Sequence, residues 1–215
     1  MKNIDYLLNR GSIPQYSEEE VYTILRTECE LRGKNAQLVR CMEEFSELIE
    51  VIIASRIQGR IDYTHLLEEI ADCRFCLEVI KILFEIKESE IDNCPDQRYE
   101  SSRLLDNCVL NLTTSSIKIS KCIRNKKNAE LEIISIINLV NETIRNIEHF
   151  YRPSRQAIND IFNLKIKRSD ERNQKMLVEK ESKTEISTNQ NENATSQLEV
   201  EIVASDEIEY SIGNI

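Results

Sequence analysis

Two acid clusters stand in the stretch from Gln37 to Ile86: Glu43-Glu44-x-x-Glu47 and Glu68-Glu69-x-x-Asp72. Residues three apart on an α-helix differ by about 60° in azimuth and about 4.5 Å in height, so Glu44/Glu47 and Glu69/Asp72 each put two carboxylates on one face. A short link containing Gly59 joins the two segments, and helices packed antiparallel across it would bring four carboxylates together. Such a group repels itself unless it protonates or a cation sits within it, and hard carboxylate oxygens favour Mg²⁺, with Mn²⁺ a possible substitute. An isolated E-x-x-E pair is ordinarily solvated surface charge, so spacing alone leaves both readings open.

The helices that must position these acids are legible from periodicity. In the second segment His65, Glu69, Asp72, Cys76, Val79 and Leu83 share one stripe, so two acids lie among residues that favour burial. Leu66, Ile70, Cys73, Leu77, Ile80 and Phe84 form another apolar face, which predicts a helix sandwiched between neighbours. In the first segment Leu38, Met42, Phe45, Ile49 and Ile52 make the core stripe, with Gln37, Arg40, Glu44 and Glu47 directly beside it. Glu43 and Glu50 fall on the far, solvated side.

The pairing of E-x-x-E with a later E-x-x-D resembles the signature of the all-α nucleotide pyrophosphohydrolases, the MazG-like and dimeric dUTPase-like superfamily. Gln37-Leu-Val-Arg40, Glu44-Phe-Ser-Glu47-Leu-Ile and Leu67-Glu-Glu-Ile-Ala-Asp72 are similar in wording, and Leu164-Lys-Ile-Lys-Arg168-Ser-Asp-Glu-Arg172 is similar to the closing basic segment of many of its short domains. The likeness covers residues 30–90 and 158–172. It implies a helical bundle hydrolysing the α–β phosphoanhydride of a nucleoside triphosphate, an NTP or dNTP, to the monophosphate and pyrophosphate. Glu44, Glu47, Glu69 and Asp72 would then be the catalytic acids and hold Mg²⁺. Lys165, Arg168 and Arg172 would reach substrate phosphates, Arg through bidentate contacts and Lys as a point charge. Gln37 and Arg40 become nucleotide-contacting candidates. The alternative is a catalytically silent helical interaction or regulatory protein that keeps the fold. A di-iron carboxylate bundle fits poorly, because His65 follows Asp62 and His149 follows Asn146 where E-x-x-H is required.

Composition agrees with long helices. The 215 residues include only four Gly and three Pro, no Trp and few aromatics. A net charge of −10 argues against general nucleic-acid binding, which needs a basic surface, but not against small phosphorylated ligands accompanied by a metal. No apolar run approaches the roughly 18 residues of a membrane span. Seven cysteines, an odd number spread through helical patterns without a signal peptide before them, read as reduced thiols of a cytoplasmic protein. Cys73-x-x-Cys76 lacks two further ligands for zinc and reads as core.

In chain order, residues 1–16 are a lead-in, and Ser17-Glu-Glu-Glu20 reads as a capping box opening a helix over 18–32. The expected all-α domain spans 17–176. It carries a second α-hairpin inserted over about 97–151, entered at Asn93-Cys-Pro95-Asp and turning at Lys126-Lys127-Asn128, and a closing basic helix after Pro153. That hairpin loosely aligns with the first, Ile117–Arg124 on Ile49–Arg56 and Glu132–Ser135 on Glu69–Asp72. It is either a decayed copy completing an internal pseudo-dimer, with only Glu132 surviving, or two extra packing helices; a homodimer or higher homo-oligomer is the other way to complete the bundle. Residues 177–215, rich in Glu, Ser, Thr, Asn and Gln, read as an acidic disordered tail with one short alternating run at Leu198.

Overall fold

In the computed structural model, residues 13–91, 101–124 and 129–182 are described. The lead-in up to residue 12, the Asn93–Asp96 break, the 126–128 turn and residues 183–215 of the expected tail lie outside them, while residues 177–182, expected to open that disordered tail, are helical instead. Every described element is helical, with no strand, as an all-α bundle requires. The chain divides into two compact units, Met1–Glu171 and Arg172–Ile215. In the second, residues 172–182 are helical.

Helix α1 (Glu18–Arg32) opens with the expected capping box: Glu20 Oε2 accepts from the Ser17 backbone N–H at 2.7 Å, and Ser17 Oγ accepts from the Glu20 N–H. It stops at Gly33, whose φ of 83° a side chain would oppose, and α2 (Lys34–Gln58) begins at the next residue. Gly59, left-handed at φ 65°, ends α2. Asp62 then caps α3 (Tyr63–Phe84) by accepting from the Thr64 and His65 N–H groups. A 3₁₀ turn (Glu88–Glu90) follows, then α4 (Ser101–Arg124), α5 (Ala129–Tyr151) and a helix α6 over 155–171, entered after Pro153 and capped by Ser154 Oγ.

Antiparallel pairs α2–α3 and α4–α5 form two hairpins that pack on each other, α2 against α4 and α3 against α5, while α1 lies against α3 and α2. Helix α3 is the centre. Leu66, Ile70, Cys73, Leu77 and Ile80 are buried on one side and Glu69, Asp72, Cys76 and Val79 on the other, which bears out the sandwiched reading. Each such aliphatic side chain contributes about 1.5–3 kcal/mol on burial. Arg74 ties α3 to α6 and α5, through Asn159 Oδ1 at 2.9 Å and Glu148 Oε1 at 2.5 Å. Among the described residues no helix is long and apolar enough to cross a membrane.

The two hairpins share one register. Cys41 Sγ donates to Cys76 O and Cys108 Sγ to Thr143 O, both at 3.9 Å, and each member of the second pair lies 67 residues after its counterpart in the first. At the same offset the buried Leu38, Phe45, Ile52, Leu66, Ile70 and Ile80 fall on the buried Leu105, Leu112, Ile119, Ile133, Ile137 and Ile147. This corrects the alignment expected from the sequence, which used a different shift for each helix. Glu132 matches His65, not an acid. The counterparts of Glu44, Glu47, Glu69 and Asp72 are Asn111, Thr114, Ile136 and Leu139, so none of the four carboxylates recurs.

Candidate metal centre

One turn of α2 presents Glu44 and Glu47, and one turn of α3 presents Glu69 and Asp72. The hairpin brings one carboxylate oxygen each from Glu44, Glu47 and Glu69 within 4.8 Å of one another. Glu47 is exposed, Glu44 half-buried, and Glu69 only 4% exposed. The centre is thus open on the Glu47 side and closed behind Glu69.

The fourth acid is engaged differently. Asp72 forms a close ion pair with Lys165 Nζ of α6, both side chains largely shielded from solvent. Glu44 is held by Arg40, one turn earlier on α2, through Nε at 3.2 Å. The same guanidinium lies 4.7 Å over the Phe75 ring and gives its Nη1 to Glu28 at 3.0 Å. Glu28, on α1, is fully buried and is also paired with Arg32 at 3.3 Å. Glu69 Oε1 lies 3.1 Å from His65 Nε2, while its buried Oε2 has no hydrogen-bond partner.

Electrostatics follow from this packing. Burial, then the charges of Asp72, Glu47 and Glu44, push the Glu69 carboxyl up to about 8, against the pull of Lys165. Glu44 is raised by burial and by Asp72, with Arg40 and Lys165 opposing. A carboxyl raised this far keeps its proton at neutral pH, and a divalent cation among the three acids would displace that proton and satisfy the orphaned Oε2. Three hard carboxylates, with room for water or phosphate oxygens on the exposed side, suit Mg²⁺ or Mn²⁺.

Among the predicted site residues, one serves helix packing instead. Gln37 is 1% exposed and its Nε2 donates to Glu28 O at 3.5 Å, so it belongs to the α1–α2 packing. Arg168 is exposed one turn beyond Lys165 on α6, and Arg172 opens the second compact unit. Cys73 and Cys76 are buried free thiols, as read, and burial lifts both well above the usual thiol range. Glu28 was not anticipated, although its place beside Leu25 and Cys29 in the apolar stripe of α1 marks it as an inward carboxylate. A cleft of about 1410 Å³ at the other end of α3, lined by residues including Tyr16, Tyr22, Lys34, Lys81 and Phe162, contains none of the four acids.

Compared with protein-family models, curated proteins and solved structures, the chain matches none.

Proposed function

We propose that the protein is a Mg²⁺-dependent nucleoside triphosphate pyrophosphohydrolase, releasing pyrophosphate and the nucleoside monophosphate. The observation that carries this reading is the convergence of Glu44, Glu47 and Glu69 from two helices, with Glu69 buried and one of its oxygens unpartnered. Glu44, Glu47 and Glu69 would hold the cation. When bound, it supplies charge neutralisation to the triphosphate oxygens and favours hydroxide as the attacking species.

The chain's own residues supply the rest. Arg40, fixed by Glu28 and Phe75, keeps the Glu44 carboxylate in place beside the cluster. Arg168, exposed one turn beyond Lys165 on α6, is the candidate to contact a triphosphate, while Lys165 holds Asp72. The resemblance in the acid-bearing segments and the closing basic segment supports a nucleotide as the phosphorylated ligand, and a cytoplasmic location accords with reduced thiols.

The test is direct. Purified protein with Mg²⁺ and a panel of ribo- and deoxyribonucleoside triphosphates is expected to release pyrophosphate with at least one of them, and Glu47→Gln to abolish that release. No turnover with any nucleotide, together with no Mg²⁺ binding, would overturn this reading and favour the silent helical interaction protein.

A further inference from the structure

Four acids at one hairpin invite two divalent ions, yet the structure gives them unequal surroundings. Glu44, Glu47 and Glu69 offer oxygens to one another within 4.8 Å. Asp72, one turn along α3 from Glu69, instead points to the Lys165 ammonium. Resting on the metal-binding reading above, we propose that the centre takes a single divalent cation on Glu44, Glu47 and Glu69, and that Lys165 is the built-in second cation, occupying the Asp72 side.

Three features carry this. First, the pair is enclosed: the Lys165 and Asp72 side chains are 16% and 12% exposed, so water screens them little and neither is free to swing to solvent. Second, Lys165 is anchored by its own helix, since Ile161 and Ile166 on α6 are buried and fix the direction from which the ammonium enters. Third, a second Mg²⁺ would bind through one or two carboxylates, with waters completing its six oxygens, and beside the first ion it would call on Asp72. Only Asp72 stands outside the three-acid group, and it already faces a positive charge that would repel a divalent ion. Charge balance gives the same answer: Glu44, Glu47, Glu69, Asp72 and the buried Glu28 are matched by one divalent ion, Lys165, Arg40 and Arg32.

Two acids that their spacing makes look alike therefore have different roles. Glu69 is a ligand. Asp72 is a positioning residue, acting through the ammonium it holds. It also gives Lys165 a resident role in the absence of nucleotide, distinct from a contact to substrate phosphate.

Mn²⁺ alone is the probe, with free ion counted by electron paramagnetic resonance and affinity measured by calorimetry, on the full chain without nucleotide. The wild type is expected to bind one Mn²⁺. Asp72→Asn is expected to bind one Mn²⁺ still, with affinity changed by less than about tenfold, whereas Glu47→Gln loses the site. Lys165→Met, which frees Asp72, is expected to admit a second Mn²⁺; if helical content by circular dichroism shows that variant unfolded, the wild type and Asp72→Asn decide the question. Two ions in the wild type, or loss of binding in Asp72→Asn, would overturn the proposal while leaving a metal centre in place. A folded Lys165→Met chain that takes only one ion also overturns it, by reducing Lys165 to a structural partner. No Mn²⁺ binding at all would remove the metal-centre reading itself, and with it this inference.

Discussion

The two hairpins are built on one register and differ in what they do with buried polarity. In α2–α3 the polar positions beside the core are Arg40, Glu44, Glu47, Glu69 and Asp72. In α4–α5 the same positions hold Asn107, Asn111, Thr114, Ile136 and Leu139. The apolar scaffold is kept on both sides, Leu38 with Leu105, Cys41 with Cys108 and Ile70 with Ile137, all buried. Packing thus needs only the shared aliphatic stripe, and the carboxylates are a separate layer set upon it. A hairpin can lose that layer and remain a full half of the bundle, which is why chemistry is assigned to one hairpin and not to both.

The largest effect that tests this contrast is on turnover. Glu47→Gln removes a carboxylate from the centre and is expected to lower pyrophosphate release by at least about a hundredfold, while Thr114→Val at the matching position of α4 leaves it unchanged. Activity lost in Thr114→Val would show that the second hairpin shares in the chemistry. Next in size is the scaffold. Ile70→Ala and Ile137→Ala, both fully buried, should each cost about 2–5 kcal/mol in urea unfolding, and by similar amounts. A cost below about 1 kcal/mol for Ile137→Ala alone would mean that the second hairpin is an appendage and not half of the core.

Much of this was legible in the residues. Sparse Gly and Pro and the continuous 3.6-residue periodicity gave the helices, and Ser17-x-x-Glu20 gave the start of α1. Glu69 could be placed inward because Cys76 and Val79 continue its stripe. What could not be read depends on contacts between distant segments. Lys165 and Asp72 are 93 residues apart, and nothing in either helix marks them as partners. A basic residue near a helix end has several uses, and its position alone points Lys165 towards phosphate. The common register of the hairpins rests on buried apolar positions, where Ile, Leu and Val replace one another freely, so charged and small residues do not reveal it.

The acid layer should also leave a mark on stability. The Glu69 carboxyl is raised from an ordinary 4.5 to about 8, so between those values the folded chain keeps a proton that the unfolded chain has lost. Stability of the metal-free protein is therefore expected to fall as pH rises through this window, by on the order of 2 kcal/mol once screening at the open Glu47 side is counted. Glu69→Gln should flatten the profile, as should saturating Mg²⁺, because either removes the cost of the buried charge. Melting temperatures at pH 5 and pH 9, with and without Mg²⁺, measure it. A wild-type profile that is flat without metal would show that Glu69 ionises freely and is no part of a strained cluster.

The smallest effect belongs to the other hairpin and separates two kinds of orphaned group. Ser115 of α4 is fully buried and its Oγ has no hydrogen-bond partner, as Glu69 Oε2 has none in α3. Its counterpart in the first hairpin is Leu48, also fully buried, so the position is a core position that has acquired a hydroxyl. No carboxylate stands at the matching acid positions to make a ligand of it. Ser115→Ala should accordingly leave stability unchanged or raise it by about 1 kcal/mol, because the cavity left by one oxygen is small and the desolvation cost of the hydroxyl disappears. Glu69→Gln, by contrast, is expected to abolish Mn²⁺ binding whatever it does to the apo fold. If Ser115→Ala destabilised by more than about 1 kcal/mol, the hydroxyl would have to be satisfied within the core, and the second hairpin would hold a polar layer of its own.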